Sequence, residues 1–198
     1  DVAPSRGLGD VYKRQLYKPM PGYRFIASNT DRSKYYVGEL NGRSSKQAYM
    51  DALHISESNI INQTFHNPIG KMNGQDICII SLKEVSGNGL CCYRQVNDSD
   101  VLVLLEEQDY NEILDETLQR IRRDFNHISG VFSINCVFRY LLFSQEHHME
   151  DYLKTMSTLG DHAGLIGFGE HYNQQFVNQT MTLSLIHISE PTRRSYIS

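Results

Sequence analysis

The sequence predicts an α+β fold, a mainly antiparallel sheet with two main helices packed on it. Three observations lead there. Short β-rich runs bounded by turn residues come in blocks instead of alternating with helices, which argues against a doubly wound parallel sheet. Two segments repeat apolar residues at helical spacing. The chain of 198 residues is 40% apolar, enough for the core of one domain, or of one domain with a fragment of another.

Residues 23–28 are β-like, and 29–34 form a polar turn. A strand at 35–40 closes on Asn41-Gly42, a hairpin-turn pair. Ser44 or Ser45 is placed to cap a short helix whose Ala48, Tyr49, Ala52 and Leu53 face inward. Residues 56–74 are polar, contain Asn67-Pro68 and Gly74, and read mainly as a mobile loop. Strands are then expected at 77–85 and 90–96, with turns at 86–89 and 97–100. The unbroken apolar run 101–105 reads as a central strand, or one covered on both faces.

Asp109, with Glu112 three residues on, opens the first main helix, 109–126. Its buried stripe is Ile113, Leu114, Leu118, Ile121 and Phe125. Residues 130–136 are β-like. Ser144 is placed to cap the second main helix, 144–159, with Met149, Leu153, Met156 and Leu159 inward and Gly160 ending it. Strands at 163–168 and 176–183 follow. The glycines between 164 and 169 allow close backbone approach. Glu170, Asn178 and Thr180 gather polar groups near the turn that joins these strands, as a pocket rim or a well-satisfied hairpin.

A net charge of −4 without a basic stripe argues against a nucleic-acid partner. No apolar run approaches bilayer length, and no secretory signal is visible. Cys78, Cys91, Cys92 and Cys136 lack C-x-x-C spacing and read as reduced thiols of a cytosolic protein. Adjacent Cys91 and Cys92 point to opposite faces of a strand. The ends stand apart: residues 10–15 and 184–193 resemble translated sequencing adapters. Residues 1–15 are therefore read as an artefactual leader and 184–198 as an artefactual tail. Residues 1–15 and 189–198 are expected to lack packed contacts, whereas the apolar Leu185, Ile186 and Ile188 leave room for the last strand to continue past 184. On that reading the domain is expected to be 16–183, a fragment of a longer protein.

Five segments carry a family likeness. They are Tyr36-Val37-Gly38-Glu39-Leu40-Asn41-Gly42, the strand–turn–strand ending at Leu105, Ile134-Asn135-Cys136-Val137-Phe138-Arg139, Gly167-Phe168-Gly169-Glu170, and Asn178-Gln179-Thr180-Met181-Thr182. In order and spacing the chain resembles the C-terminal part of the FIST domain, a sensory module of signal-transduction proteins. The resemblance spans residues 23–183. It implies a cytoplasmic, bacterial-type sensor of a small ligand, with amino acids as suggested ligands. The implied partners are histidine kinase, chemotaxis or cyclic-dinucleotide output domains and the N-terminal half of the same domain. That missing half is expected to leave an apolar surface exposed. Family members often carry His before the Asn-Gln-Thr motif, where this chain has Val177.

Cys136, Arg139, Glu170, Asn178 and Thr180 are the candidate ligand-binding residues, expected to converge on one side of the sheet. Arg139 offers a planar fork to a carboxylate, and Glu170 would meet an ammonium group. Alternatively, Arg139 and Glu170 pair with each other as a structural ion pair. Cys136 with His171 raises a thiol-enzyme alternative, but no third orienting residue is identifiable, and the chain is read as a non-enzyme. A protein-interaction domain without a small ligand is the other alternative. No metal or cofactor is expected: the histidines show neither H-E-x-x-H nor zinc-ligand spacing, and for an axial haem ligand His171 or His162 comes nearest.

Overall fold

The computed structural model describes residues 11–186 except Gln75, Asn126, Asn173, Gln174 and Asn178, with backbone alone at 11–15, 170–172 and 175–177. In order the chain forms β1 (Val11–Gln15), β2 (Tyr17–Asp31), β3 (Tyr36–Leu40), β4 (Arg43–Ser44), α1 (Ser45–Leu53), a 3-10 turn (Glu57–Asn59), α2 (Ile60–Gln63), β5 (Ile69–Asn73) and β6 (Asp76–Ile80). There follow β7 (Leu82–Ser86), β8 (Gly89–Cys92), β9 (Val101–Glu107), α3 (Tyr110–Asp124), β10 (Gly130–Cys136), α4 (Val137–Gln145) and α5 (Met149–Ser157). The last elements are β11 (Asp161–Gly167), β12 (Glu170–Tyr172), β13 (Gln175–Val177) and β14 (Thr180–Ile186). This is an α+β fold.

The strands form two sheets instead of one. The larger runs β6-β5-β9-β2-β3-β8-β7, with β4 on β3; the smaller runs β1-β14-β10-β11; β12 and β13 make a separate ribbon. Pairing is antiparallel except between β10 and β11, which are parallel and so need a crossover, supplied by α4 and α5. The long strand β2 shifts register between Pro19 and Arg24 against β9, where Gly22 takes φ +85° and bends the strand.

Two apolar cores result, and β9 feeds both. Val103 and Leu105 point into the core that joins α3, α4, α5 and the smaller sheet; Leu102 and Leu104 point into the core under α1 and α2. Alternation along a strand with both faces covered is why residues 101–105 are apolar without interruption. The α3 stripe is as read, with Leu114, Leu118 and Ile121 buried and Ile113 and Phe125 packed against them.

Several expectations are corrected. The strand expected at 77–85 breaks at the buried Ser81, and its halves β6 and β7 lie at opposite edges of the larger sheet. Residues 56–74 are not mainly loop: they hold the 3-10 turn, α2 and β5, with Ile60 fully buried. The helix expected at 144–159 is two helices, and Ser144 lies inside α4, donating from Oγ to the Tyr140 carbonyl. Leu153 is 47% exposed and Tyr152 takes its place inside. The strand expected at 176–183 is β13 and β14, separated by Gln179 at φ +52°. Residues 11–15, expected to be unpacked, form β1, which pairs with β14 from Val11↔Ser184 to Gln15↔Thr180; past 184 the last strand continues as its apolar residues allow, with Leu185 fully buried.

Candidate functional site

Cys136 and Arg139 both sit at the β10–α4 junction. Cys136 ends β10 and is the N-cap residue of α4, so Arg139 falls in the first helical turn. The Arg139 side chain is buried, with its guanidinium carbon 4.5 Å from the Phe143 ring centroid one turn on. Its Nε donates to Asn135 Oδ1 at 3.1 Å.

From Asn135 a chain of hydrogen bonds crosses the sheet. Asn135 Nδ2 donates to Tyr152 Oη at 2.9 Å, Tyr152 Oη donates to Ser133 Oγ at 3.0 Å, and Ser133 Oγ lies 2.8 Å from His162 Nε2. With the Ser133 proton on that last contact, each hydroxyl donates once and accepts once, and His162 accepts as a neutral ring. Burial lowers the His162 pKa below its ordinary 6.5, which favours that neutral form. Gly164, opposite Ser133, leaves room for this bond, since a Cβ there would stand 2.6 Å from Ser133 Oγ. The close approach expected of the glycine-rich stretch is realised at this position.

Two buried tyrosines lie within electrostatic reach of Arg139. Tyr17 and Tyr110 are both held in the phenol form by burial, against the opposing pull of Arg139. Tyr17 Oη donates to the Phe65 carbonyl at 2.6 Å. The Tyr110 ring meets Phe143 edge-on at 4.6 Å and stacks on His148 at 5.0 Å. Tyr110 Oη is buried and has no hydrogen-bond partner among the described residues. Beside this cluster His66, Glu107 and Glu146 turn their ligand atoms toward one another, all within 4.8 Å. Burial, first, and the Glu146 charge raise the Glu107 pKa, while His66 opposes the rise.

Of the other expected residues, Thr180 is buried at the start of β14, next to Met181, which pairs with Asn135. Glu170 opens β12, which packs against β10 and β14; its side chain lies outside the described residues, as does all of Asn178. Cys136 is 2% exposed, and its proposed base, His171, is described in backbone only. A cavity of about 260 Å³ opens elsewhere, lined by Lys71, Asn73, Cys78, Ile80, Arg94 and Gln95, and holds none of the expected site residues. Its Lys71 is bound to Asp100 at 2.6 Å.

Sequence reasoning missed Tyr110, Ser133, Asn135 and Tyr152. Asn135 lies four residues before Arg139, but it belongs to β10 and Arg139 to α4, so neither the strand nor the helix period links the two. His66, Glu107 and Glu146 gave no signal either, because no local spacing links them.

Comparison with known proteins adds one result. Residues 46–173 match the FIST C domain. No curated protein and no solved structure matches the chain.

Proposed function

We propose, from the premise that this chain belongs to the FIST C domain family, a family of sensory domains associated with signal transduction, that it binds a small carboxylate ligand, an amino acid, at Arg139. The observation that carries the reading is the buried Tyr110 hydroxyl with no partner among the described residues, within the field of the buried Arg139 guanidinium. Buried polar groups are nearly always bonded, and an orphan costs about 1–3 kcal/mol. A ligand carboxylate between the two would accept from the phenol and from the planar guanidinium fork. Tyr110 remains a donor because burial raises its pKa. Glu170 of β12 would receive the ammonium end. The hydrogen-bond chain from Asn135 to His162 then couples the site to the edge strand β11, as a sensor requires.

Binding, not catalysis, is the proposed activity, since the one thiol near the site, Cys136, is enclosed. The proposed setting is the cytoplasm, upstream of a histidine kinase, chemotaxis or cyclic-dinucleotide output. We assign the N-terminal half of the domain to the β11 edge, where Leu165, Ile166 and Phe168 are exposed. No helix among the described residues is long and apolar enough to cross a membrane.

Calorimetric titration and thermal shift with common amino acids and simple dicarboxylates test the site. Binding should weaken at least about tenfold in Tyr110→Phe with no loss of melting temperature, because that variant removes the orphan hydroxyl itself. Arg139→Lys should also weaken it, through loss of the fork. The proposal fails if no carboxylate binds, or if Tyr110→Phe binds as tightly as the parent.

A further inference from the structure

We propose that His66, Glu107 and Glu146 form a binding site for a divalent transition-metal ion of the Zn²⁺ class. Three separate parts of the chain supply them. His66 sits in the turn after α2, Glu107 ends β9, and Glu146 caps the C-terminus of α4. His66 Nδ1 lies 3.0 Å from Glu107 Oε2 and 3.6 Å from Glu146 Oε1. Ligand bonds of about 2.1 Å in tetrahedral geometry place neighbouring donor atoms about 3.4 Å apart, so these separations suit one ion between them.

The donors are held in place before any ion arrives. The turn carrying His66 is pinned on both sides, by Tyr17 Oη donating to the Phe65 carbonyl at 2.6 Å and Tyr49 Oη donating to the Asn67 carbonyl at 2.7 Å. Asn67 Nδ2 also donates to the Leu105 carbonyl at 2.9 Å, tying the turn to the strand that carries Glu107. The Glu146 amide donates to the Leu142 carbonyl at 3.0 Å, completing the helix cap. The second Glu146 oxygen lies 3.3 Å from His148 Nε2, an orienting contact of the kind that metal-bound carboxylates receive.

Charge and donor type select the ion. Two carboxylates offset a dication, and the imidazole nitrogen favours Zn²⁺, Co²⁺ or Ni²⁺ over the hard cations Mg²⁺ and Ca²⁺. The side chains of His66, Glu107 and Glu146 retain 41%, 20% and 30% exposure, which leaves a solvent-facing position for a water ligand. The site is independent of the carboxylate reading at Arg139.

The test is calorimetric titration of chelator-treated protein with Zn²⁺, with Co²⁺ visible absorption reporting the coordination. The parent and His127→Ala, a change at an exposed histidine elsewhere, should bind one ion equally and show the same Co²⁺ bands. His66→Ala and the near-isosteric Glu146→Gln should each bind at least about tenfold more weakly and lose the bands. Mg²⁺ should give no heat. The proposal is overturned if the parent binds no Zn²⁺, if Glu146→Gln binds as the parent does, or if His127→Ala loses the ion.

Discussion

His162 stands at the outer end of a chain in which every donor points the same way, from Asn135 to Tyr152 to Ser133. Because burial lowers its pKa, the folded protein takes up this proton less readily than the unfolded chain. Its contribution to stability is therefore intact above about pH 6.5 and is lost as pH falls from there toward the lowered folded value. Unfolding midpoints between about pH 7 and pH 5 should fall less steeply in His162→Gln, which has no titrating ring; parallel curves would absolve this residue. The four thiols separate in a similar way. Burial pushes Cys92 up to about 12 and raises Cys91, Cys136 is enclosed, and Cys78 is half-buried on β6. A thiol reagent at neutral pH should modify Cys78 alone in the native protein. Rapid modification of Cys136 would restore the thiol-enzyme alternative.

Among the elements, α3 shows how much a local pattern can specify. Asp109 Oδ1 accepts from the Asn111 and Glu112 amides at 2.8 and 3.2 Å, and Arg122 and Arg123 occupy the last turn, where cations meet the helix dipole. Asp109→Ala should cost about 1 kcal/mol. Ile121→Ala, at a fully buried position of the stripe, should cost about 2–5 kcal/mol by denaturant unfolding. The reverse order of cost would mean that α3 is held by its cap and not by its packing. By contrast, α4 was not legible. Its N-cap, Cys136, makes no side-chain cap bond, and its residues Val137, Phe138, Tyr140, Leu141, Leu142 and Phe143 are apolar all round, so no stripe marks its face.

Across the whole molecule, two cores share β9, and β14 closes one of them with Met181, Leu183 and Leu185. Leu185→Ala should cost about 2–5 kcal/mol, which a truly unpacked tail would not. Melting of this variant decides directly whether residues from Ser184 onward carry part of the fold. The opposite edge of the smaller sheet is β11, where Leu165 and Ile166 are 56% and 50% exposed and Phe168, just past the strand's end, is 89% exposed. Such an edge templates pairing with another chain. Ile166→Lys should lower concentration-dependent light scattering with little change in melting temperature. Equal scattering by parent and variant would place self-association elsewhere.

By itself the sequence determined what depends on neighbours along the chain. The α+β class, the Asn41-Gly42 turn, a serine cap at 44 or 45, the Asp109 cap, the α3 stripe and the buried run of β9 all follow from period, capping chemistry and turn residues; the structure selects Ser44. The tertiary structure alone decided which strands became neighbours. Only pairing separates β6 from β7, sets β10 parallel to β11 and draws β14 into the sheet with β1. The same holds at the site. Cys136 and Arg139 lie near each other along the chain because only three residues separate them. Tyr110 and Arg139, which flank the Phe143 ring, and His66, Glu107 and Glu146 are brought near one another across long stretches of chain, and no local period encodes a proximity that only packing creates.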